Sequence, residues 1–214
     1  MKKLLFTMLT MLLPLIAAAE DVTVNGIKYA IDTPSLTASV ISNSYSGDIV
    51  IPATFEYGGA TYNVTSISDF AFINCSNLTK VSIPDGVTSI GNAAFSGCFG
   101  MTSVEIGDDV ESIGEYAFSS CNSLNSIKLP DGLTSIGHYA FVGCSSMTTI
   151  NIPKGITSIQ ESVFQDCSSL ITLTIPEGVT RIGYGAFQGC SSLIKITLPK
   201  TMTSIAKRAF RGCI

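Results

Sequence analysis

The sequence contains no tryptophan, one histidine and few charged residues: 12 basic and 16 acidic side chains in 214 residues, a formal charge of −4. This acidic balance argues against binding to nucleic acid, which needs clustered Lys and Arg. A single histidine leaves few options for acid–base chemistry at neutral pH. Because charges are few, Ser, Thr and Asn must supply most of the polar surface. The composition favours a scaffold over an enzyme, and we expect no cofactor.

Long apolar runs are also scarce, and the one present is near the N-terminus. A basic start, Met1 to Lys3, precedes an apolar stretch from Leu4 to Ile16 and then Ala17 to Ala19. This order is typical of a signal peptide, and the stretch is shorter than the ~20 residues that span a bilayer. We expect residues 1–19 to be removed, with no transmembrane segment afterwards. The mature protein is then secreted or on the cell surface.

The rest of the chain repeats with a period of 23 residues. Such a period indicates a solenoid. The cysteines, phenylalanines and isoleucines that keep this step are Cys75, Cys98, Cys121, Cys144, Cys167, Cys190 and Cys213; Phe72, Phe95, Phe118, Phe141, Phe164, Phe187 and Phe210; and Ile67, Ile90, Ile113, Ile136, Ile159, Ile182 and Ile205.

Each unit has a strand pattern followed by a turn. Residues 78–83 alternate apolar and polar side chains, and residues 84–86, Pro-Asp-Gly, end the strand. Residues 91–95 have room for one helical or 3₁₀ turn. A single coil cannot bury enough surface to fold, so coils must stack. The sequence predicts a leucine-rich-repeat-like solenoid over residues 64–214, with a parallel β-sheet on one face, six full repeats and a partial seventh.

Residues 20–63 have the pattern of an N-terminal β cap. Asn25-Gly26 lies between two alternating runs, and residues 55–62 form a second hairpin candidate. The sequence stops at Cys213-Ile214, within a unit. We expect either that the natural chain continues or that this apolar coil face is buried against another molecule, for example by self-association.

The run from Cys144 to Ile159, with Ala-Phe-x-x-Cys-x-x-Leu at the centre of the unit, resembles the BspA-like leucine-rich repeats. The resemblance covers residues 64–214. It implies a solenoid on the surface of a host-associated bacterium, used for adhesion or protein binding. The partners it implies are proteins, including host extracellular-matrix or plasma proteins. No binding residue can be transferred individually, because members of this family bind varied partners.

The cysteines in an exported chain allow two interpretations. Stacked coils bring equivalent Cα atoms within bridging distance, but parallel side chains point the same way rather than at each other. We expect a structural ladder of buried thiols, with disulfides between neighbours as the alternative and Cys213 as the most reactive thiol. A ladder spreads its sulfur atoms along an axis, so we expect no metal site.

Other candidates for chemistry are weak. The slot of His138 holds Asn92, Glu115, Tyr184 and Lys207 in other units, which is typical of a solvent-facing position. No Gly-x-Ser-x-Gly motif is present, so we expect no catalytic residues. The acidic stretch from Glu105 to Glu115 could attract calcium, but its spacing fits no known loop, and a solvated turn is favoured.

The outward row of the strands is the remaining candidate binding face. It lacks the aromatic and Arg side chains of typical hot spots, and it could equally be a solubilising surface. Its members are Lys80, Ser82, Ser103, Glu105, Ser126, Lys128, Thr149, Asn151, Thr172, Thr174, Lys195 and Thr197.

Three functions stay open at this point. The first is a surface or secreted protein that adheres to host or neighbouring-cell components through protein contacts. The second is a structural spacer for a missing C-terminal domain. The third is an accessory protein that binds extracellular polysaccharide. For that third function the exposed aromatic candidates are Tyr116, Tyr139 and Tyr184, on the other side of the coil.

Overall fold

The computed structural model describes residues 20–213, so the predicted signal peptide lies outside the described residues. This range contains eighteen strands and no helix, and hence no helix that could cross a membrane. The strands are β1 (Glu20–Val24), β2 (Ile27–Asp32), β3 (Thr37–Val40), β4 (Gly47–Val50), β5 (Thr54–Tyr57), β6 (Ala60–Ile67), β7 (Leu78–Ser82), β8 (Ser89–Ile90), β9 (Ser103–Glu105), β10 (Ser112–Ile113), β11 (Ser126–Ile127), β12 (Ser135–Ile136), β13 (Thr149–Ile150), β14 (Ser158–Ile159), β15 (Thr172–Thr174), β16 (Arg181–Ile182), β17 (Lys195–Thr197) and β18 (Ser204–Ile205).

Both hairpins predicted near the N-terminus are confirmed. Strands β1 and β2 pair antiparallel across Asn25-Gly26, whose φ angles of 49° and 80° suit a tight hairpin turn. Strands β5 and β6 pair antiparallel across Gly58-Gly59. Strand β4 pairs parallel with β7, so the N-terminal segment provides the strand edge against which the first coil aligns.

The strand predicted in each repeat forms an outer ladder, made of β4, β7, β9, β11, β13, β15 and β17. Its paired strands are parallel, and from β7 onward they align residues 23 positions apart, as Lys80 with Ser103 and Thr172 with Lys195. Inward side chains such as Val81 and Leu173 are buried. This ladder confirms the repeat solenoid with a parallel sheet.

A second parallel ladder, which the sequence did not predict, runs along the return path of the coils, the segment that follows the turn after each outer strand. This return ladder comprises β6, β8, β10 and β12, and then β14, β16 and β18. Glycines follow most of its two-residue strands because the backbones touch there. A Cβ atom on Gly114 would lie 2.6 Å from the Asn92 nitrogen, and one on Gly137 would lie 2.5 Å from the Glu115 nitrogen.

The helical or 3₁₀ turn expected after the return path is wrong. Residues 68–76 and their equivalents, the turn segment of each coil, are successive β-turns. The N–H groups of Ala71, Ile73 and Cys75 donate within the coil, whereas those of Phe70, Phe72 and Asn74 donate to the next coil. A helix is excluded because residues 70 and 74, like their equivalents in every coil, have positive φ.

The phenylalanines form one continuous stack through the core. Tyr45 of the N-terminal segment lies 4.4 Å from the ring centroid of Phe72 and starts the column. The next rings, from Phe72 to Phe210, follow at centroid separations of 4.7 to 5.6 Å with nearly parallel planes. The N-terminal segment therefore extends the core of the coils through an aromatic side chain as well as through a strand.

Candidate functional site

The twelve residues of the predicted binding face, called the outer strand face below, all lie on the solvent side of the outer ladder. Each is exposed or half-buried, and the residue between each pair, such as Val104 or Ile127, points into the core. Alternation along a strand produces this arrangement. Within residues 20–213 no segment covers the face, so its side chains are available to a partner.

Charges on the outer strand face are partly paired with each other. Lys80 Nζ lies 2.6 Å from Glu105 Oε1, and the Ser82 hydroxyl donates to Glu105 Oε2 at 3.2 Å. This pairing raises the pKa of Lys80 and lowers the pKa of Glu105. Both side chains are open to solvent, where such a pair adds little stability. Lys128 and Lys195 take part in no ion pair among the described residues.

The outer ladder is interrupted between β9 and β11 and again between β13 and β15. At the first break, Glu105 and Lys128 line a shallow hollow of about 170 Å³. Between β11 and β13, the Asn151 side chain accepts from the Leu129 N–H at 2.9 Å and donates to the Leu129 carbonyl at 3.0 Å. Asn151 therefore serves the fold, in addition to any binding role.

Three exposed apolar side chains border the outer strand face. Val50 is 71% exposed at one end, and Ile194 is 78% exposed next to Ile171 at the other. Sequence reasoning missed them because it assigned the outward row from the polar positions alone. Ile171 and Ile194 occupy a slot that holds Thr or Asn in earlier coils, a departure that could have drawn attention to them.

The cysteines are free thiols, and their hydrogen-bond partners could not be identified from the sequence. Cys98 Sγ donates to the Phe72 carbonyl at 3.1 Å, and Cys121 Sγ donates to the Phe95 carbonyl at 3.2 Å. The same bond, between residues 26 apart, recurs in each later coil. Each thiol thus links its coil to the preceding one, next to the phenylalanine stack.

Burial makes these thiols poor nucleophiles. It raises the pKa of Cys98, Cys144 and Cys190 to about 12, so the reactive thiolate is disfavoured in the folded protein. Cys213 is half-buried, and its pKa is raised by the same cause. Its accessibility agrees with the expectation that it is the first thiol to react, which stays a prediction.

The acidic side chains between Glu105 and Glu115 are spread over the surface. Asp109 accepts from the Gly86 N–H, and the Asp108 N–H donates to Asp85, so these carboxylates join neighbouring turns. Among residues 20–213, no three His, Cys, Asp or Glu side chains are grouped so as to hold a metal ion. His138 is half-buried, more enclosed than its predicted solvent-facing position.

The tyrosines considered for sugar binding lie on the turn segments, away from the outer strand face. The rings of Tyr116 and Tyr139 stack at 4.7 Å, and the Tyr139 hydroxyl donates to Glu161 at 2.8 Å. Arg208 lies 5.5 Å from the centroid of the Tyr184 ring. These contacts orient three aromatic side chains that remain partly open to solvent.

Comparison with solved structures supports the fold. A leucine-rich repeat protein of T. pallidum is 28% identical with a TM-score of 0.76, and the match covers 85% of this chain and 84% of that one. One from Bacteroides ovatus is 25% identical with a TM-score of 0.65, covering 87% and 55%. A leucine-rich cell surface protein from Faecalibacterium prausnitzii is 30% identical with a TM-score of 0.55, covering 92% and 47%. The chain thus spans about half the length of the latter two.

No curated protein sequence matches the chain. The family model described as the BspA type leucine-rich repeat region, in six copies, matches residues 53–170 and 88–214. Such repeats are scaffolds that generally bind other proteins and lack enzymatic activity. The 23-residue period, the parallel solenoid and the family match agree, and the chain belongs to the BspA-type leucine-rich repeat family.

Proposed function

We propose that this chain is an exported bacterial protein, secreted or held at the cell surface, that adheres to host or neighbouring-cell components through its outer strand face. The observation that carries the proposal is the uncovered row of twelve polar side chains on the outer ladder, bordered by exposed Val50, Ile171 and Ile194. Exposed apolar side chains beside polar ones provide what protein partners commonly bury. The similarity to a protein described as a cell surface protein supports the location.

The face suits repeated modest contacts rather than one deep pocket. Its side chains are mostly hydroxyls and lysines, and aromatic or Arg hot-spot residues are lacking on its strands. Many equivalent rungs, or many copies of the protein on one surface, can compensate through multivalency. We expect micromolar rather than nanomolar affinity for a single copy, with salt dependence from the unpaired Lys128 and Lys195.

The test is binding of the purified protein to a panel of extracellular-matrix and plasma proteins at two salt concentrations. The first variant changes Lys80, Glu105, Lys128 and Lys195 to Ser. A control variant changes the same numbers of basic and acidic residues elsewhere: Lys154, Lys207, Arg211 and Glu115 to Ser.

Saturable binding that is lost in the first variant and kept in the control supports the proposal. Binding lost equally in both variants, or kept in both, places the contact elsewhere and refutes the outer strand face as the site. Absence of binding to every panel protein would favour the structural spacer instead.

A further inference from the structure

The return ladder has one break, between β12 and β14, and a polar cleft lies beside it. After most strands of this ladder a small residue donates its N–H to the isoleucine carbonyl of the preceding coil, as from Gly137 to Ile113 at 2.9 Å and from Gly183 to Ile159 at 2.8 Å. Within residues 20–213, only the position of Gln160 lacks this bond in the series. The break therefore coincides with one substitution in the repeat.

Gln160 explains the break in steric terms. A Cβ atom at the neighbouring glycines Gly114, Gly137 and Gly183 would lie within 2.7 Å of the preceding coil's backbone. Ala206 carries a Cβ at the same position and still donates its N–H to the Ile182 carbonyl at 2.9 Å, so a Cβ alone does not separate the coils. We therefore attribute the break to the longer side chain of Gln160. The Gln160 amide instead donates to the Ser158 hydroxyl at 2.9 Å.

The cleft has a volume of about 350 Å³, within the range of small-molecule sites. Four successive coils contribute to its lining, which includes His138, Gln160, Glu161, Arg181 and Tyr184. Arg181 replaces a serine found in the same slot of the other units, from Ser66 to Ser204. Two positions that hold small or hydroxyl-bearing residues in the other coils therefore hold larger side chains at this cleft.

The chemistry of the lining selects among ligand classes. An amide, a carboxylate, a guanidinium and an imidazole present both donors and acceptors, which suits a ligand with many hydroxyl groups. An aromatic side chain, Tyr184, adds an apolar surface, and Arg208 against its ring restricts the ring's orientation. A metal ion would need converging carboxylates, which the described residues do not provide here, and an apolar ligand would need an apolar lining.

We propose that this cleft binds a sugar unit of a glycan. The site is separate from the outer strand face and does not depend on it. Tyr139, whose hydroxyl donates to Glu161, holds that carboxylate at the cleft. The chain would then contact a glycan with its turn and return side while its strand side contacts protein.

The experiment screens the full chain on an array of bacterial and host glycans and then measures the strongest ligand by calorimetry. A triple variant, Gln160→Gly, Arg181→Ser and Tyr184→Asn, replaces each residue with one found in the same slot of another coil: Gly137, Ser135 and Asn92. A control, Glu111→Thr with Glu115→Asn, makes the same kind of replacement outside the cleft. Circular dichroism confirms that both variants fold.

We expect at least about a tenfold loss of affinity in the triple variant, because one ring and one charged donor are removed, and less than about a twofold change in the control. The single variant Tyr184→Asn, which leaves the backbone contacts in place, should lose part of the affinity. The proposal is overturned if no glycan binds, or if the triple variant binds as tightly as the unmodified chain.

Discussion

The turn segments and the strand ladders belong to the same coils, yet they differ in continuity. At each of the six junctions between coils, three N–H groups of a turn segment donate to the next coil, as Phe141, Tyr139 and Gly143 do to Val163, Glu161 and Gln165. The outer ladder is broken twice and the return ladder once. Strand pairing is therefore interrupted on both ladders, whereas the turn segments repeat the same three backbone bonds at every junction.

This difference indicates where the chain tolerates change. The turn segments keep Phe and Cys in every unit because a ring stack, a thiol bond and three backbone bonds all depend on the same spacing. The strand ladders hold two or three residues per coil, and variable side chains there can splay the coils locally. Both proposed binding sites, the outer strand face and the cleft at Gln160, lie along these interrupted ladders.

Removal of one ring from the stack should destabilise the protein most. Phe141→Ala leaves a cavity between Phe118 and Phe164 and should lower the free energy of unfolding by about 3–5 kcal/mol. Phe99→Ala is the control, since Phe99 is 51% exposed, and it should cost less than about 0.5 kcal/mol. Urea denaturation followed by circular dichroism measures both. Equal effects would show that the stack does not dominate stability.

A second test concerns the glycines of the return ladder. Gly137→Ala places a Cβ 2.5 Å from the Glu115 nitrogen, so the backbone must shift locally, and we expect the free energy of unfolding to fall by about 1–3 kcal/mol. The control, Gly132→Ala, meets only the Asp108 carbonyl at 3.5 Å and should be close to neutral. Both are measured by the same urea titration. If Gly137→Ala were as mild as the control, the coils would accommodate a Cβ at Gly137 as they do at Ala206.

A third test uses pH to examine the thiols. Burial raises the pKa of Cys98, Cys144 and Cys190 from 9.0 to about 12. Their folded-state pKa lies above the unfolded value, so their contribution to stability is complete below pH 9 and is lost as pH rises towards 12. Each should reduce the free energy of unfolding by up to about 1.4 kcal/mol per pH unit in that window.

The measurement is urea unfolding under reducing conditions at pH 8, 9.5 and 10.5 (chosen to bracket the unfolded pKa). Cys144→Ala should be less stable at pH 8, because it loses a hydrogen bond to Phe118 and some packing. Its stability should also fall less steeply with pH than that of the unmodified chain. An identical slope would mean that Cys144 ionises as easily in the fold as in the unfolded chain.

Much of the fold could be predicted because its signals are periodic. The 23-residue step, the buried columns of Phe, Cys and Ile, and the hairpin at Asn25-Gly26 all depend on residue type and spacing. The return ladder was missed because two residues per coil are too few to show strand alternation. The thiol hydrogen bond was missed because its acceptor is a main-chain carbonyl 26 residues away. Every residue has such a carbonyl, so the sequence does not indicate which one accepts.

The turn conformation and the two proposed binding sites show a second limit of prediction from the sequence. Tyr116, Ser120 and Tyr139 have positive φ although they are not glycines. The residue types therefore gave no indication of a left-handed conformation, and a helical turn was expected instead. The polar row of the outer strand face could be assigned from alternation alone. The cleft could not, because it requires Gln160 of one coil, Arg181 of the next and His138 of the one before to share a surface.

The smallest expected effect concerns backbone strain in the turn segments. Ser120 has a φ of 57°, whereas the equivalent positions in the adjoining coils are Gly97 and Gly143, both with a φ of 75°. A non-glycine residue is strained in this conformation, and the strain exceeds the entropy that glycine loses on folding. Ser120→Gly should therefore raise the free energy of unfolding by about 0.5–1 kcal/mol. Ser123→Gly, at a position without positive φ, should lower it slightly. If both changes destabilised the protein, the left-handed turn would impose no strain on serine. The regular stacking of the turn segments would then depend on the phenylalanine rings and the thiol hydrogen bonds.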